Sequence, residues 1–429
     1  MSTPAAALED EDLLREIFLR LPPLPSTLSR ASLVCTRWRR ILSDPCFLRR
    51  FSRHHPEPPL LGFFRRSRLT YSVLTPILDP PDRIPAESSF FFRFLHSSFR
   101  RPPSPLGFSK GSLVSYPIFA PTLDPPNRIP TQRFFMPEHL ANWELQGCRH
   151  GLAVMLSESL CEVFVWDPLN GQQHRVPFPP ELRDVKRGIF CLCSATVMSV
   201  DDQTAHVHDD CFLSPSFKLV LICTSSDLKT SFACVYESAS GVWGNIVSTS
   251  TTNMVRKLRP SILIGNTVYC LFHGREILAF DIERQTLHVI EMPAEVQHIN
   301  NWSFHQLLRT DDDSLLGLAV KSKLGIHIWE RKLNSDGVTG WVLLRKINQL
   351  EGIPSGAFRN AEMVGYDEEL NVMVLSTYSG NFMLHLKTMQ IRFISKTHRQ
   401  RSWMEMGGSK SLNTRGLPMC YVGSTGEVD

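Results

Sequence analysis

The chain has 429 residues, 42% of them hydrophobic and 21% charged, with a formal net charge of +4. That length exceeds one ordinary core and calls for two or three domains or one large repeat array. The composition is globular rather than disordered, and so slight a charge gives no general case for nucleic-acid binding. The opening residues, MSTPAAALEDED, lack the basic start and apolar run of a secretory signal. The longest apolar runs, such as residues 219–223, are strand-length and too short to cross a bilayer. Eleven cysteines, odd in number and without framework spacing, predict reduced thiols in the cytosol or nucleus.

In chain order, residues 1–7 read as a disordered start and residues 8–53 as a small helical domain. Leu13, Leu14, Ile17, Phe18 and Leu21 recur at the spacing of one helical face, and Pro22-Pro23 stops that helix. Pro25-Ser26 opens a second helix, with Leu28, Ala31 and Cys35 on one side. A third carries Trp38, Ile41 and Leu42 and ends at Ser43-Asp44-Pro45. A short fourth turn presents Phe47, Leu48 and Phe51.

Residues 54–144 form a connector rich in Pro, Phe and Arg, and they contain a duplication. PLLGFF from Pro59 returns as SPLGFS from Ser104, and TPILDPPDRIP from Thr75 returns as APTLDPPNRIP from Ala120. Tyr71 returns as Tyr116, so all three pairs share one offset of 45 residues. One offset throughout means a tandem duplication. The DPP cores predict turns, because proline fixes φ and aspartate can bond the backbone just beyond it. The second copy runs straight into the following β region and is expected to join it. The first, with its arginines and the FFFRF run at 90–94, reads as a peripheral insert.

Residues 145–396 become a succession of short strands. FVWDPLNGQQHRVPF from Phe164 reads as two strands around a Pro-Leu-Asn-Gly turn, and similar hairpins start near Phe232, Ile277, Leu324 and Phe382. Asp167, Glu237, Asp281 and Glu330 are expected where the first strand of four such hairpins ends. A further apolar strand pair precedes each hairpin, giving four strands per unit, the texture of a β-propeller. A tandem of β-sandwiches is the alternative. Residues 397–429 read as a flexible tail. The predicted fold class is α+β multidomain: a small N-terminal helical domain followed by a large all-β, propeller-like domain.

Candidate chemistry is sparse. CRHG at 148–151 places a thiol beside Arg149 and His150, yet a nucleophile needs a base held by a third group. Neighbours in a strand point to opposite faces, so a structural strand is the reading. Cys191, Cys193, His206, His208 and Cys211 are zinc-type ligands, but C-x-C followed by H-x-H is not a usual structural-zinc spacing. No Gly-rich phosphate loop, G-x-S-x-G elbow or H-E-x-x-H occurs. No catalytic residue, cofactor or metal is expected. Residues 30–53 hold seven arginines against one aspartate, read as a solvated face beside a partner-binding face rather than a phosphate site.

Between Leu8 and Phe51 these features fall in a familiar order: an acidic-leucine helix, RLPP, a leucine-valine-cysteine helix, W-R-R and a D-P-x-F close. The segment resembles the F-box, departing from it at the start, where Leu8-Glu9 replaces the usual Leu-Pro. Downstream, CRHG and VWDPLNGQQHRVP resemble the F-box-associated propeller regions of plant, especially grass, F-box proteins. The resemblance implies a non-catalytic substrate receptor of a Skp–cullin–F-box ubiquitin ligase, in cytoplasm or nucleus. A Skp-type adaptor, and cullin through it, would be bound by Leu8, Leu13, Leu14, Ile17, Phe18, Leu21, Pro22, Leu28, Leu33, Val34 and Trp38. The β domain would hold an unknown protein target, with no nucleic acid or membrane as partner. Cys35 would then be a small core hydrophobe. One rival is a receptor that binds the adaptor without ligase function. Another, from a different class, is a propeller-type carbohydrate-binding or hydrolytic protein, which needs two carboxylates converging on one pocket.

Overall fold

The computed structural model describes residues 10–55, 59–68, 115–134, 143–168, 171–183, 190–199, 216–225, 229–252, 261–272, 276–296, 305–310, 315–322, 325–333, 337–395 and 416–420. Two compact units are present, Met1–Arg66 with Pro117–Asp429, and Ser67–Tyr116. The second contributes only the far ends of two strands to the described residues. Residues 1–7, the FFFRF run and most of the duplicated segment lie outside them.

Helix α1 (Glu11–Leu19) starts where the Asp10 carboxylate accepts from the Asp12 and Leu13 amides, and Glu11 and Asp12 suit its positive end. Helix α2 (Pro25–Ser32) follows the Pro22-Pro23 break. Helix α3 (Thr36–Leu42) is capped by Cys35, whose Sγ accepts from the Trp38 amide. Helix α4 (Pro45–His54) has ten residues, so the short fourth turn of the sequence reading is a full helix. Leu14, Phe18, Leu19, Ile41, Leu42, Phe47 and Phe51 close the small core between them. Cys35 is exposed, not a core hydrophobe as expected, because it sits at the α2–α3 corner as a cap.

The β region begins with β1 (Gly62–Arg68) and β2 (Ser115–Pro121). Five antiparallel sheets then follow in sequence order. The first is β3 (Glu144–Arg149), β4 (Leu152–Ser157), β5 (Glu162–Trp166) and β6 (Gln173–Pro177). In the second, β7 (Phe190–Ser199), β8 (Phe217–Ser225) and β9 (Thr230–Glu237) meet a broken outer strand, β10 (Val242–Trp243) and β11 (Val247–Ser250). The third is β12 (Ile262–Ile264), β13 (Thr267–Leu271), β14 (Glu276–Asp281) and β15 (Thr286–Glu291). The fourth is β16 (His305–Arg309), β17 (Leu316–Ser322), β18 (Gly325–Leu333) and β19 (Thr339–Ile347). A short helix α5 (Ser355–Arg359) leads to the fifth, β20 (Glu362–Asp367), β21 (Val372–Thr377), β22 (Gly380–His385) and β23 (Ile391–Ser395). A last strand, β24 (Gly416–Cys420), pairs with β1 in a sheet ordered β2-β1-β24.

Burial shows how the sheets stack. All six residues of β4 are buried, whereas four of the five in β6 are exposed. A strand buried on both faces must lie between two neighbouring sheets, which explains the apolar runs inside each unit. One core joins the first and second sheets through Val154, Val165, Leu219 and Leu221. Another joins the second and third through Val220, Ile222, Val268 and Phe280, and a third runs from the third sheet to the fifth through Ile277, Leu318, Ile328 and Met373. The β2-β1-β24 sheet packs on both the fifth and the first sheets, so the stack closes on itself. This is a propeller-like arrangement, not a tandem of sandwiches.

Two parts of the sequence reading are corrected by that closure. The peripheral-insert expectation fails for residues 60–64 of the first copy, where Leu60, Leu61, Phe63 and Phe64 are buried on or beside β1. Within the expected tail, residues 416–420 are a strand paired to β1. The hairpin reading needs one change: Glu237 and Asp281 end β9 and β14 and Asp167 follows β5, but Glu330 lies inside β18, which runs on to Leu333. Cys35, Cys46, Cys161, Cys193, Cys223, Cys234 and Cys270 are free, whereas Cys148 is disulfide-bonded, against the expectation of reduced thiols throughout. Gly325 and Gly380 open β18 and β22 with φ of +152°, and a Cβ there would meet the Ile347 carbonyl and the Phe393 ring. Only glycine fits such corners.

Candidate functional site

Two places gather the residues that could carry function. The first is the outer surface of the helical domain. Leu14 and Phe18 point inward and are fully buried, and the Phe18 and Trp38 rings meet edge-on at 4.9 Å. Leu21, Leu28 and Trp38 pack partly against that core. Leu13 and Ile17, one turn apart on α1, are 42% and 40% exposed, and Leu33 and Val34 at the end of α2 are 73% and 62% exposed. Pro22 is exposed as well, and Leu8 lies outside the described residues. The expected site residues thus divide into a supporting core and an apolar set left in water. Leu13 with Ile17, and Leu33 with Val34, are thus two exposed aliphatic pairs on one small domain.

Ion pairs cross this surface. Glu11 meets Arg15 at 3.0 Å and Arg40 at 2.9 Å, Glu16 pairs with Arg50 and Arg20, and Asp44 faces Arg15 at 3.5 Å. The hydrogen bond from Arg15 holds the Glu11 carboxyl below its usual pKa. Arg15, Arg40 and Arg50 therefore face carboxylates of the same domain.

The second place is a polar hub made by the first strands of the sheets. Arg149, at the end of β3, makes two hydrogen bonds to the Glu368 carboxylate just after β20. It also donates to Thr196 Oγ1 at 2.8 Å, to the Val197 carbonyl at 3.3 Å and to the Ser261 carbonyl at 3.2 Å. Glu368 accepts in turn from the Leu263 amide at 3.0 Å, while Arg309 reaches the Leu263 and Glu368 carbonyls. Beside it His150 meets Glu369 at 3.1 Å, and burial pushes the Asp367 pKa up to about 7. All five sheets therefore contribute to one charged knot. The Glu368 carboxylate is held by the Arg149 guanidinium and the Leu263 amide.

In the sequence the thiol of CRHG stands out rather than its neighbour Arg149, and nothing local singles out Glu368. Among the zinc-type ligands, Cys193 is buried against Cys223 at 3.1 Å, and residues 201–215 lie outside the described residues. Among the described residues no group of three or more His, Cys, Asp or Glu side chains could hold a metal ion. No described helix is long and apolar enough to cross a membrane.

Comparison with known proteins agrees with this division of the chain. Residues 11–54 match the F-box-like family, and residues 144–405 match the family described as F-box protein AT5G49610-like, beta-propeller. No curated protein matches at a significant level. Similar solved structures include the computationally designed Ika8 protein, at 13% identity over 58% of this chain and 61% of that one, with a TM-score of 0.29. The extracellular domain of the one-component system BT4673 from B. thetaiotaomicron matches at 14% identity over 60% and 29%, with a TM-score of 0.32. A structural-genomics protein of unknown function from Bacteroides thetaiotaomicron VPI-5482 matches at 12% identity over 66% and 65%, with a TM-score of 0.33. The chain spans 29–65% of the length of these three structures, and at such scores they carry no argument. An F-box joined to a β-propeller supports a substrate-receptor role in general. The propeller match alone covers more than half of the sequence, and the chain belongs to the F-box protein AT5G49610-like β-propeller family.

Proposed function

We propose that this protein is the substrate-receptor subunit of a Skp–cullin–F-box ubiquitin ligase and performs no chemistry itself. It acts in the cytoplasm or nucleus, where such an assembly would work. The observation that carries the reading is the sorting of the F-box side chains. Leu14 and Phe18 form a closed core, while Leu13, Ile17, Leu33 and Val34 remain in water on the same domain. A helical domain of some fifty residues gains stability from covering such a surface. A standard interface of about 1,600 Å² is dominated by a few anchors. The adaptor would bring cullin and the transfer machinery, and the β domain would hold a protein target.

Glu368 lends the carbohydrate-binding or hydrolytic reading no support, because its carboxylate is engaged by Arg149 of the first sheet and by the Leu263 amide of the third. Purified full-length protein titrated with a Skp-type adaptor tests the proposal. Saturable binding at micromolar or lower Kd is the expected result, and absence of binding by a folded chain overturns it. The receptor-without-ligase alternative is separated by adding cullin and its partners and looking for ubiquitin transfer.

A further inference from the structure

Helix α2 starts without a capping side chain of its own, because Leu24 stands where Ser, Thr, Asp or Asn usually stands. The missing acceptor comes from 101 residues away. Asn127 Oδ1 accepts from the Ser26 hydroxyl at 2.7 Å and from the Ser26 amide at 3.4 Å. Ser26 is the second residue of the helix, whose N–H is one that an N-cap side chain ordinarily satisfies.

Asn127 is itself held in place. It closes the Asp-Pro-Pro-Asn turn, its amide donating to the Asp124 carbonyl at 2.9 Å. Asp124 faces Arg392 of β23 at 3.7 Å and Arg128 at 3.8 Å. On either side of the turn, Leu123 and Ile129 pack on the cluster of Phe119, Phe134 and Trp143, which includes side chains of the first sheet. The Thr122 amide donates to the Leu61 carbonyl, next to β1, at 3.0 Å. The acceptor thus stands on a turn pinned to the fifth sheet, the first sheet and the approach to β1.

We propose that this turn is the seat of the F-box on the β domain, with Asn127 the positioning residue. It sets the direction in which Leu13, Ile17, Leu33 and Val34 face relative to whatever the β domain holds. The inference deepens the receptor reading and takes its purpose from it, but the seat itself is a property of the free chain. The duplication supplies a natural control. In the first copy the residue matching Asn127 is Asp82, which also offers a side-chain oxygen.

The test uses the full chain with spin labels carried by unnatural amino acids at exposed Arg39 and Arg284, and reads their distance distribution. The wild type and Asn127→Asp should each give one narrow distribution, because both keep the acceptor. Asn127→Ala should broaden it and speed amide exchange at Ser26 and Thr27 roughly 2- to 30-fold, the range expected for a lost cap. Ser26→Ala, which removes the hydroxyl from the other side of the contact, should broaden it less and guards against a disturbed turn in the first variant. Adaptor affinity measured on the same proteins should not change, since the four exposed side chains are untouched. A wild type that fails to bind adaptor refutes the receptor reading alone. Narrow distributions in both alanine variants overturn the seat.

Discussion

Phe63 and Phe64 are neighbours on β1, and they face opposite ways. Phe63 packs with Val364, Val372 and Val374 of the fifth sheet, and Phe64 with Trp143 and Phe164 on the first. Two adjacent residues of one strand therefore seal both sides of the gap in the ring. Each is 1% exposed, and truncating a buried Phe costs about 3–5 kcal/mol. Phe63→Ala and Phe64→Ala should each lower the urea midpoint by an amount of that order. Removing residues 59–68 should abolish the cooperative transition. A deletion that melts like the full chain would show that the ring does not need this strand.

Exposure separates two kinds of F-box substitution. Leu14→Ala and Phe18→Ala should destabilise the helical domain by about 2–5 kcal/mol. Leu13→Lys and Ile17→Lys should leave the melting temperature within a degree or two and weaken adaptor binding at least tenfold. Calorimetry and adaptor titration on the same four proteins check this. Equal loss of stability in both pairs would mean that the exposed face is part of the fold.

The Arg149–Glu368 pair is nearly excluded from water, with side chains 7% and 11% exposed. Removing one partner of such a pair leaves the other charge uncompensated, at about 3–5 kcal/mol. Arg149→Met should show that loss in urea unfolding, and adding Glu368→Gln should recover a large part of it. Additive losses in the double variant would show that the two groups do not act as a unit.

Asp367 gives the fold a pH dependence of known sign. Burial raises its pKa from 3.8 to about 7, so the folded chain holds a proton that the unfolded chain has released across that window. Stability therefore falls as pH rises from about 4 to 7 and stays at the lower level above it. Asp367→Asn keeps an oxygen for the Leu370 amide, which the carboxylate accepts at 2.8 Å. The variant should be more stable than wild type at pH 8, on the order of 1–4 kcal/mol, with the advantage shrinking toward pH 5. Urea midpoints at both pH values decide it, and a pH-independent difference would reject the assignment.

The helical domain and the four-strand units could be read from the sequence because both depend on local periodicity. Leu14 and Phe18 fall on one helical face, and the hairpin around Asp167 carries its own turn residues. What could not be read depends on pairs far apart in the chain. The spacing of Leu13, Leu14, Ile17 and Phe18 marks an apolar face but not which members the other helices cover. Arg149 and Glu368 lie 219 residues apart, and nothing local to either announces the other. The short β24 is embedded in a polar stretch whose composition reads as tail, and its partner strand lies near the opposite end of the sequence. Asn127 looked like an ordinary turn residue, since turn chemistry does not reveal which helix stands above it.

That pairing of β1 with β24 also bears on how the protein is made. Synthesis runs from the N-terminus, and chains generally add about 5–20 residues per second. Roughly 350 residues separate the end of β1 from the start of β24, so on the order of 20–70 s pass between their emergence. Throughout that interval the F-box helices can form while Phe63 and Phe64 have no complete sheet to join. A nascent chain thus displays the exposed Leu13 and Ile17 face of the F-box before it has a closed β domain. Any truncated product that ends short of residue 416 would keep the first and lack the second, and under the proposed receptor function it would occupy adaptor without delivering a target.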